Sequence, residues 1–273
     1  MHTGLAPPVT PHTSNPASQF PQFAEWLSAL EARHLADLRI PEVTRALRAL
    51  SSAYVERRDA VARGATLDSA GKRAAFALFY APLHFLTTAH VVQALGAADE
   101  PPARILDIGC GTGAAGAAWA LAAGGAPAIT GIDRHPWTVG EATWTYRQLG
   151  LHGRAKQGDA TRLPTLRQGT AVVAAYLLNE LTAEGRARVE TALFAAAAEG
   201  TRVLVLEPIA RGVAPWWDTT AARVRALGGR ADEWRFDVEL PPMLRLFDKA
   251  AGLHHDELTV RTLYISRAIL PGL

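Results

Sequence analysis

Arg104-Ile105-Leu106-Asp107-Ile108-Gly109-Cys110-Gly111-Thr112-Gly113 is the stretch from which the rest of the chain is read. A short apolar run, Ile105 to Ile108, stops at three glycines spaced by two, and an Ala-rich stretch from Ala114 to Ala123 follows. Strand, tight glycine turn and helix is the order this predicts. Glycines carry no Cβ, so the backbone can turn sharply there and approach a ligand closely. The helix behind them offers free N–H groups and the positive end of its dipole. With Asp107 inside the strand end, the stretch reads as a cofactor loop rather than a plain connection.

Outward from that loop, strands and helices alternate. Ala128 to Ile132 reads as a second strand ending at Asp133, and Pro136 to Leu149 as a helix stopped by Gly150. Arg154 to Gln157 is a third short strand, followed by Gly158-Asp159-Ala160. Ala171 to Ala175 is a fourth, running into Tyr176-Leu177-Leu178-Asn179-Glu180-Leu181. Ala183 to Ala198 is a helix, Arg202 to Leu206 a fifth strand ending at Glu207-Pro208, Ala214 to Leu227 a helix, and Leu258 to Arg267 a terminal strand. Such alternation implies an α/β fold, a doubly wound and mostly parallel sheet with helices on both faces. Ligands in these sheets bind at the carboxyl ends of the strands.

Upstream the pattern is helical from about Phe23 to Leu95, with Trp26, Leu27 and Leu30 and then Val43, Leu47 and Leu50 at helical spacing. Pro41 reads as a helix start and Pro82 as an interruption. Residues 1–22, with Pro7, Pro8, Pro11, Pro16 and Pro21, read as a flexible tail. The expected organisation is a tail over 1–22, a helical region over 23–100 and a ligand-binding domain over 101–273.

Composition bounds the function. The 273 residues are 49% hydrophobic and 20% charged with net charge +2, and the calculated pI is about 8.9. A weakly basic surface permits nucleic acid but does not demand it. The single cysteine, Cys110, excludes a disulfide framework or a Cys-cluster metal site within the chain and suits a reduced, cytoplasmic setting. Arg, His, Asp or Glu interrupts every apolar stretch long enough to cross a bilayer, so no membrane partner is expected, and no basic n-region with an apolar core marks a secretory signal. His254-His255-Asp256-Glu257 alternate faces in a strand and do not converge on one ion, so no metal is expected.

Asp133, 20 residues after Gly113, can accept hydrogen bonds from both ribose hydroxyls of an adenosine. NAD enzymes and S-adenosylmethionine (SAM) enzymes share that requirement, and a helix-capping acid is the plainer alternative. The loop is not Gly-x-Gly-x-x-Gly, and Asp159, with the N–H of Ala160, can meet an adenine edge. Both features favour SAM.

At this point the chain resembles the class I SAM-dependent methyltransferases, whose first motif is similar to Leu106–Gly113. The resemblance covers about residues 103–207. It implies that Asp107, Gly109, Cys110, Gly111 and Gly113 hold or orient the methionine portion, that Asp133 with Arg134 meets the ribose side, and that Asp159 and Ala160 meet adenine, with Tyr176 also in the binding set. A narrower resemblance rests on Tyr176–Leu181, Val205-Leu206-Glu207-Pro208, Leu244–Lys249, His255–Glu257 and Tyr264–Arg267. These are similar to the mitochondrial small-ribosomal-subunit assembly methyltransferase-like proteins and their bacterial relatives. That family implies ribosomal RNA or the small ribosomal subunit as partner. Two departures stand: Gly111-Thr112-Gly113 replaces the family's usual glycine-proline turn, and the four cysteines of an iron–sulfur cluster are absent.

Asn179 and Glu180 follow the fourth strand, where class I enzymes place acceptor-side residues. Asn179 can orient a polar acceptor, and Glu180 can act as a base or bind a cation. Tyr80, with Lys72, Arg73, His84 and His90, can form a lid or acceptor wall, and Asn179, Glu180 and Tyr80 are the expected catalytic group. Helix-spaced core packing is the plainer reading of Phe76, Phe79 and Phe85. The expected function is methyl transfer with ribosomal RNA as acceptor. A small-molecule methyltransferase and a non-catalytic SAM-binding ribosome assembly factor are the alternatives. A basic face along Arg45, Arg48, Arg57, Arg58 and Arg63 favours RNA; a closed pocket under Tyr80 favours a small acceptor.

Overall fold

A computed structural model describes residues 19–56, 67–166, 169–210, 214–253 and 255–266. Helices α1 (Pro21–His34), α2 (Ile40–Glu56), α3 (Ala70–Ala75) and α4 (Ala81–Ala94) precede the sheet, with a π-helical turn over Phe76–Tyr80 joining α3 to α4. Most of the expected tail, residues 1–18, lies outside the described residues, as do Arg57, Arg58 and Arg63. The described end of that stretch is ordered against the core: Phe20 is buried edge-on to Phe85, and α1 begins at Pro21.

Pro82 does not interrupt the helix. The Ala81 N–H reaches back five residues to the Phe76 carbonyl. This wide turn shifts the hydrogen-bond register just before the residue that has no N–H to give, so the helix runs on from Ala70 to Ala94. That continuous run also corrects the expectation on membrane-length segments. At 25 residues it is long and apolar enough to cross a bilayer, but 78% of its most apolar window is buried inside the protein. Phe79, Phe85, Leu86 and Val92 are its core contacts.

The sheet strands are β1 (Arg104–Ile108), β2 (Ala128–Asp133), β3 (Gly153–Gln157), β4 (Thr170–Ala175), β5 (Arg202–Glu207), β6 (Arg230–Asp237) and β7 (Glu257–Ile265). Their order is β3-β2-β1-β4-β5-β7-β6, with β7 antiparallel to β5 and β6 and the other pairs parallel. The central strands β1, β4 and β5 are apolar almost throughout because helices cover both faces. Between strands lie α5 (Ala114–Ala122), α6 (Pro136–Gln148), α7 (Ala183–Ala198), α8 (Trp217–Ala226) and α9 (Pro242–Ala251). The turn over Asn179 is a 3₁₀ helix, Leu178–Glu180.

One core, with α1 to α6, joins the helical region to the sheet; a second lies under α7 and α8. Glu141 of α6 is 1% exposed and pairs with His34 at 2.7 Å and with Arg33 at 3.2 Å, which ties α1 to α6. The strand order reverses between β1 and β4, and the glycine loop opens there. Ligand sites in open α/β sheets lie at that switch point.

Candidate active site

The loop after β1 needs its glycines for backbone conformation and for space. Gly109, Gly111 and Gly113 have φ of +63°, +50° and +82°, a region where a side chain is strained. A Cβ on Gly113 would also stand 2.7 Å from the ring of Tyr146, which is fully buried and has no room to retreat. One Cβ on Gly111 would meet only the Phe76 ring, at 3.6 Å. The π-helical turn of the N-terminal region therefore lies directly over the loop. Cys110 donates its N–H to the Ile132 carbonyl at 3.1 Å, and burial pushes its thiol well up, so it is an unreactive packing group.

Asp107 is 1% exposed. Its Oδ2 accepts the Gly116 N–H of α5 at 2.9 Å, and its Oδ1 has no hydrogen-bond partner among the described residues. Burial pushes this carboxyl up to about 7. At the end of β2, Asp133 accepts the Gly111 N–H at 2.9 Å through Oδ2 and the His135 N–H at 2.9 Å through Oδ1. Asp133 is thus the strut that sets the loop; the cap of α6 is His135, whose ring accepts the Trp137 N–H. Each Asp133 oxygen keeps a second lone pair for an incoming hydroxyl.

Two of the expected adenine-side residues lie in a solvated turn. Asp159 is exposed, and its Oδ1 accepts from both the N–H and the hydroxyl of Thr161 at 2.8 Å. Those bonds hold its carboxyl below the usual carboxylate range. Ala160 is partly buried beside the second core. The Gly158 N–H bonds the Asp133 carbonyl at 2.9 Å, which fixes this turn beside the β2 end.

The structure brings the expected acceptor-side residues to the same end of the sheet. Tyr176 leaves β4 with φ +57°, an unusual value for a bulky residue. It is held by three contacts: its N–H on the Leu206 carbonyl at 2.7 Å, its hydroxyl on Thr87, and His84 stacked on its ring at 4.1 Å. Burial lowers the His84 imidazole to about 3, so this histidine is a neutral packing ring rather than a base. Tyr80 sits among Phe76, Phe79 and His84, bonds Ser51 of α2, and is pushed up to about 12 by burial. Asn179 is half-buried. Glu180, raised to about 8 by burial, faces Arg134 and Asp133, so the β2 and β4 ends form one charged neighbourhood.

Other expected lid residues are engaged elsewhere. Lys72 pairs with Asp68 at 2.9 Å, Arg73 bonds the Leu67 carbonyl at 2.9 Å, and His90 stacks on Phe236 at 3.7 Å. Trp217 is buried under Arg261. His255 is anchored to Asp248 through both its backbone and its ring. No group of three or more His, Cys, Asp or Glu is placed for a metal among the described residues.

Sequence reasoning passed over Glu207. This residue closes β5, is fully buried, and accepts the Leu178 N–H at 2.7 Å. An acid ending an otherwise apolar strand, Arg-Val-Leu-Val-Leu-Glu, was the available signal.

Residues 105–200 match the family model described as a methyltransferase domain. The matched span, about a third of the chain, carries a methyltransferase domain of the kind that model describes. No curated protein matches the chain. Among solved structures, it is similar to a SAM-dependent methyltransferase from Aquifex aeolicus, at 13% identity and TM-score 0.47, covering 67% of this chain and 90% of that one. A SAM-dependent methyltransferase from Thiobacillus denitrificans, solved with S-adenosyl-L-homocysteine, is similar at 16% identity and TM-score 0.44, covering 65% and 91%.

The residues fit SAM. Asp107 Oδ1 is a buried acceptor with no hydrogen-bond partner among the described residues, and each Asp133 oxygen keeps a lone pair for a diol. Bound there, SAM supplies a methyl group on a positively charged sulfur. Asp133 and the glycine loop are the residues that would hold and orient it there.

Proposed function

We propose that the domain methylates a small acceptor seated between the Leu178–Glu180 turn and the helical roof. The observation that carries this reading is the His84–Tyr176 stack at 4.1 Å, which joins α4 to the end of β4 over the acceptor side. Asn179 orients the acceptor, and Glu180, raised towards neutrality, takes or holds a proton at the acceptor atom.

The ribosomal RNA acceptor expected from the narrower resemblance keeps one observation in its favour, exposed Arg45 on α2. Arg48, one turn on, donates to the Ala250 carbonyl of α9 instead of facing solvent freely. Turnover to S-adenosyl-L-homocysteine, measured with panels of small amines, phenols and carboxylic acids and separately with ribosomal RNA, decides between them. Turnover on small acceptors that Glu180→Gln lowers by about a hundredfold supports the proposal. Turnover on RNA alone overturns it, and no turnover on either panel favours the assembly-factor alternative.

A further inference from the structure

We propose that Glu207 is a positioning residue that builds the acceptor side: its buried carboxyl grips the backbone of the Leu178–Glu180 turn and so aims Asn179 and Glu180. The inference rests on the reading that this turn faces the acceptor. The grip itself is in the geometry. Glu207 is fully buried, and its Oε1 accepts the Leu178 N–H at 2.7 Å. The Asn179 N–H bonds the same carboxyl. Without it, two N–H groups at the start of a three-residue 3₁₀ turn have no partner within the turn.

Core packing alone does not call for an acid here. β5 places Val203, Val205 and Glu207 on one face, towards the second core, where an apolar residue is the cheaper occupant of a fully buried position. Its Oε2 has no hydrogen-bond partner among the described residues, and burial raises the carboxyl to about 8. The charged and titratable groups facing it are Glu180 on the turn, Arg186 on α7, Tyr176 on the β4 exit, and Arg261 at the paired position of β7. Arg261 is drawn to Glu233 at 3.5 Å and lies over Trp217, so among the described residues no direct ion pair to Glu207 replaces the backbone grip. A buried acid without an ion-pair partner, bonded to the backbone that carries the candidate catalytic pair, is what positioning requires.

The test compares Glu207→Gln, which keeps an acceptor oxygen at the same reach, with Glu207→Leu, which does not. Glu207→Asp, shorter by one methylene, is the second disruptive variant if Glu207→Leu does not fold. Amide exchange at Leu178 and Asn179, the titration of Glu180 by carboxyl ¹³C NMR, and the affinity for S-adenosyl-L-homocysteine are read on each. In Glu207→Leu or Glu207→Asp the two amides should exchange about tenfold faster, the ratio one lost hydrogen bond gives. Glu180, released from burial, should titrate lower, towards the ordinary carboxylate range. Glu207→Gln should restore both readings towards wild type, and all variants should bind the ligand within about twofold of wild type, since the cofactor loop is untouched. Unchanged exchange and an unchanged Glu180 titration in the disruptive variants overturn the proposal, as does failure of Glu207→Gln to rescue them. None of these readings needs a turning-over acceptor, so failure of the small-acceptor reading would appear in the turnover panels and not here.

Discussion

Gly116→Ala should destabilise the protein, against the ordinary preference of a helix. Gly116 lies inside α5, where alanine is normally better by about 1 kcal/mol. Here a Cβ would stand 2.7 Å from Asp107 Oδ2, 3.1 Å from Asp107 Cβ and 3.2 Å from Ile129 Cγ2. Asp107 is 1% exposed and Ile129 2%, so neither has space to withdraw. The contact also falls on the oxygen that accepts the Gly116 N–H at 2.9 Å. Losing that hydrogen bond to a carboxyl costs about 1.5–3 kcal/mol, and overpacking adds about 1–3 kcal/mol. Together these exceed the propensity gain, so the net expectation is a loss of about 1.5–5 kcal/mol. Urea unfolding of wild type and variant, at equal slope, measures it. Titration of S-adenosyl-L-homocysteine should show weaker binding as well, because Asp107 braces the helix behind the loop. A Gly116→Ala protein as stable as wild type, or more stable, would refute the claim that close packing of β1 on α5 sets this position.

Other perturbations have equally definite outcomes. Phe85→Ala, which empties a fully buried site stacked on Phe23 at 4.8 Å, should cost about 3–5 kcal/mol in chemical unfolding. Glu141→Ala removes a buried acid from between His34 and Arg33 and should cost about 1–3 kcal/mol in the same assay; Arg33 is half exposed and contributes little of it. Stability should fall as pH rises from about 4 to about 8, because Asp107, Glu180 and Glu207 bind their protons more tightly folded than unfolded. Each contribution is complete below the unfolded value and is lost as pH passes the folded one, so Glu180→Gln should make the fall of the thermal midpoint across this window shallower, with Asp107 and Glu207 keeping the rest. An unchanged slope would remove the assigned burial of Glu180.

How far these features can be read without coordinates varies by element. β1, β2 and β5 are mostly apolar runs ended by glycine or acid, β4 is an apolar run that passes into Tyr176, and the strands lie within a residue or so of where that pattern puts them. β6 was missed because Arg-Ala-Asp-Glu-Trp-Arg-Phe-Asp is an edge strand of mostly charged residues; Trp234 and Phe236 pack on His90, and Ala231 packs on the second core. α9 starts behind two prolines and is short, though its amphipathic spacing of Leu244 and Phe247 was there to be found. Pro82 misled because a π-helical turn absorbs its missing donor, and such a turn leaves no simple pattern in sequence. In the site, Asp133 and the glycines were readable from spacing, since strand, turn and helix fix where they stand. The bond from Asp133 to the Gly111 N–H was not, and neither was the grip of Glu207 on the Leu178 N–H. Both join strands that only the assembled sheet brings together.

Calorimetric titration of SAM and S-adenosyl-L-homocysteine into wild type and Asp133→Ala tests the central claim most directly. Asp133 holds the Gly111 N–H and, on this account, would accept from the ribose hydroxyls, so its loss should weaken both ligands by about 1–3 kcal/mol, roughly tenfold to a hundredfold. Wild-type binding with that loss is the predicted result. Failure of the folded wild-type protein to bind either ligand, or equal binding by Asp133→Ala, would contradict the account.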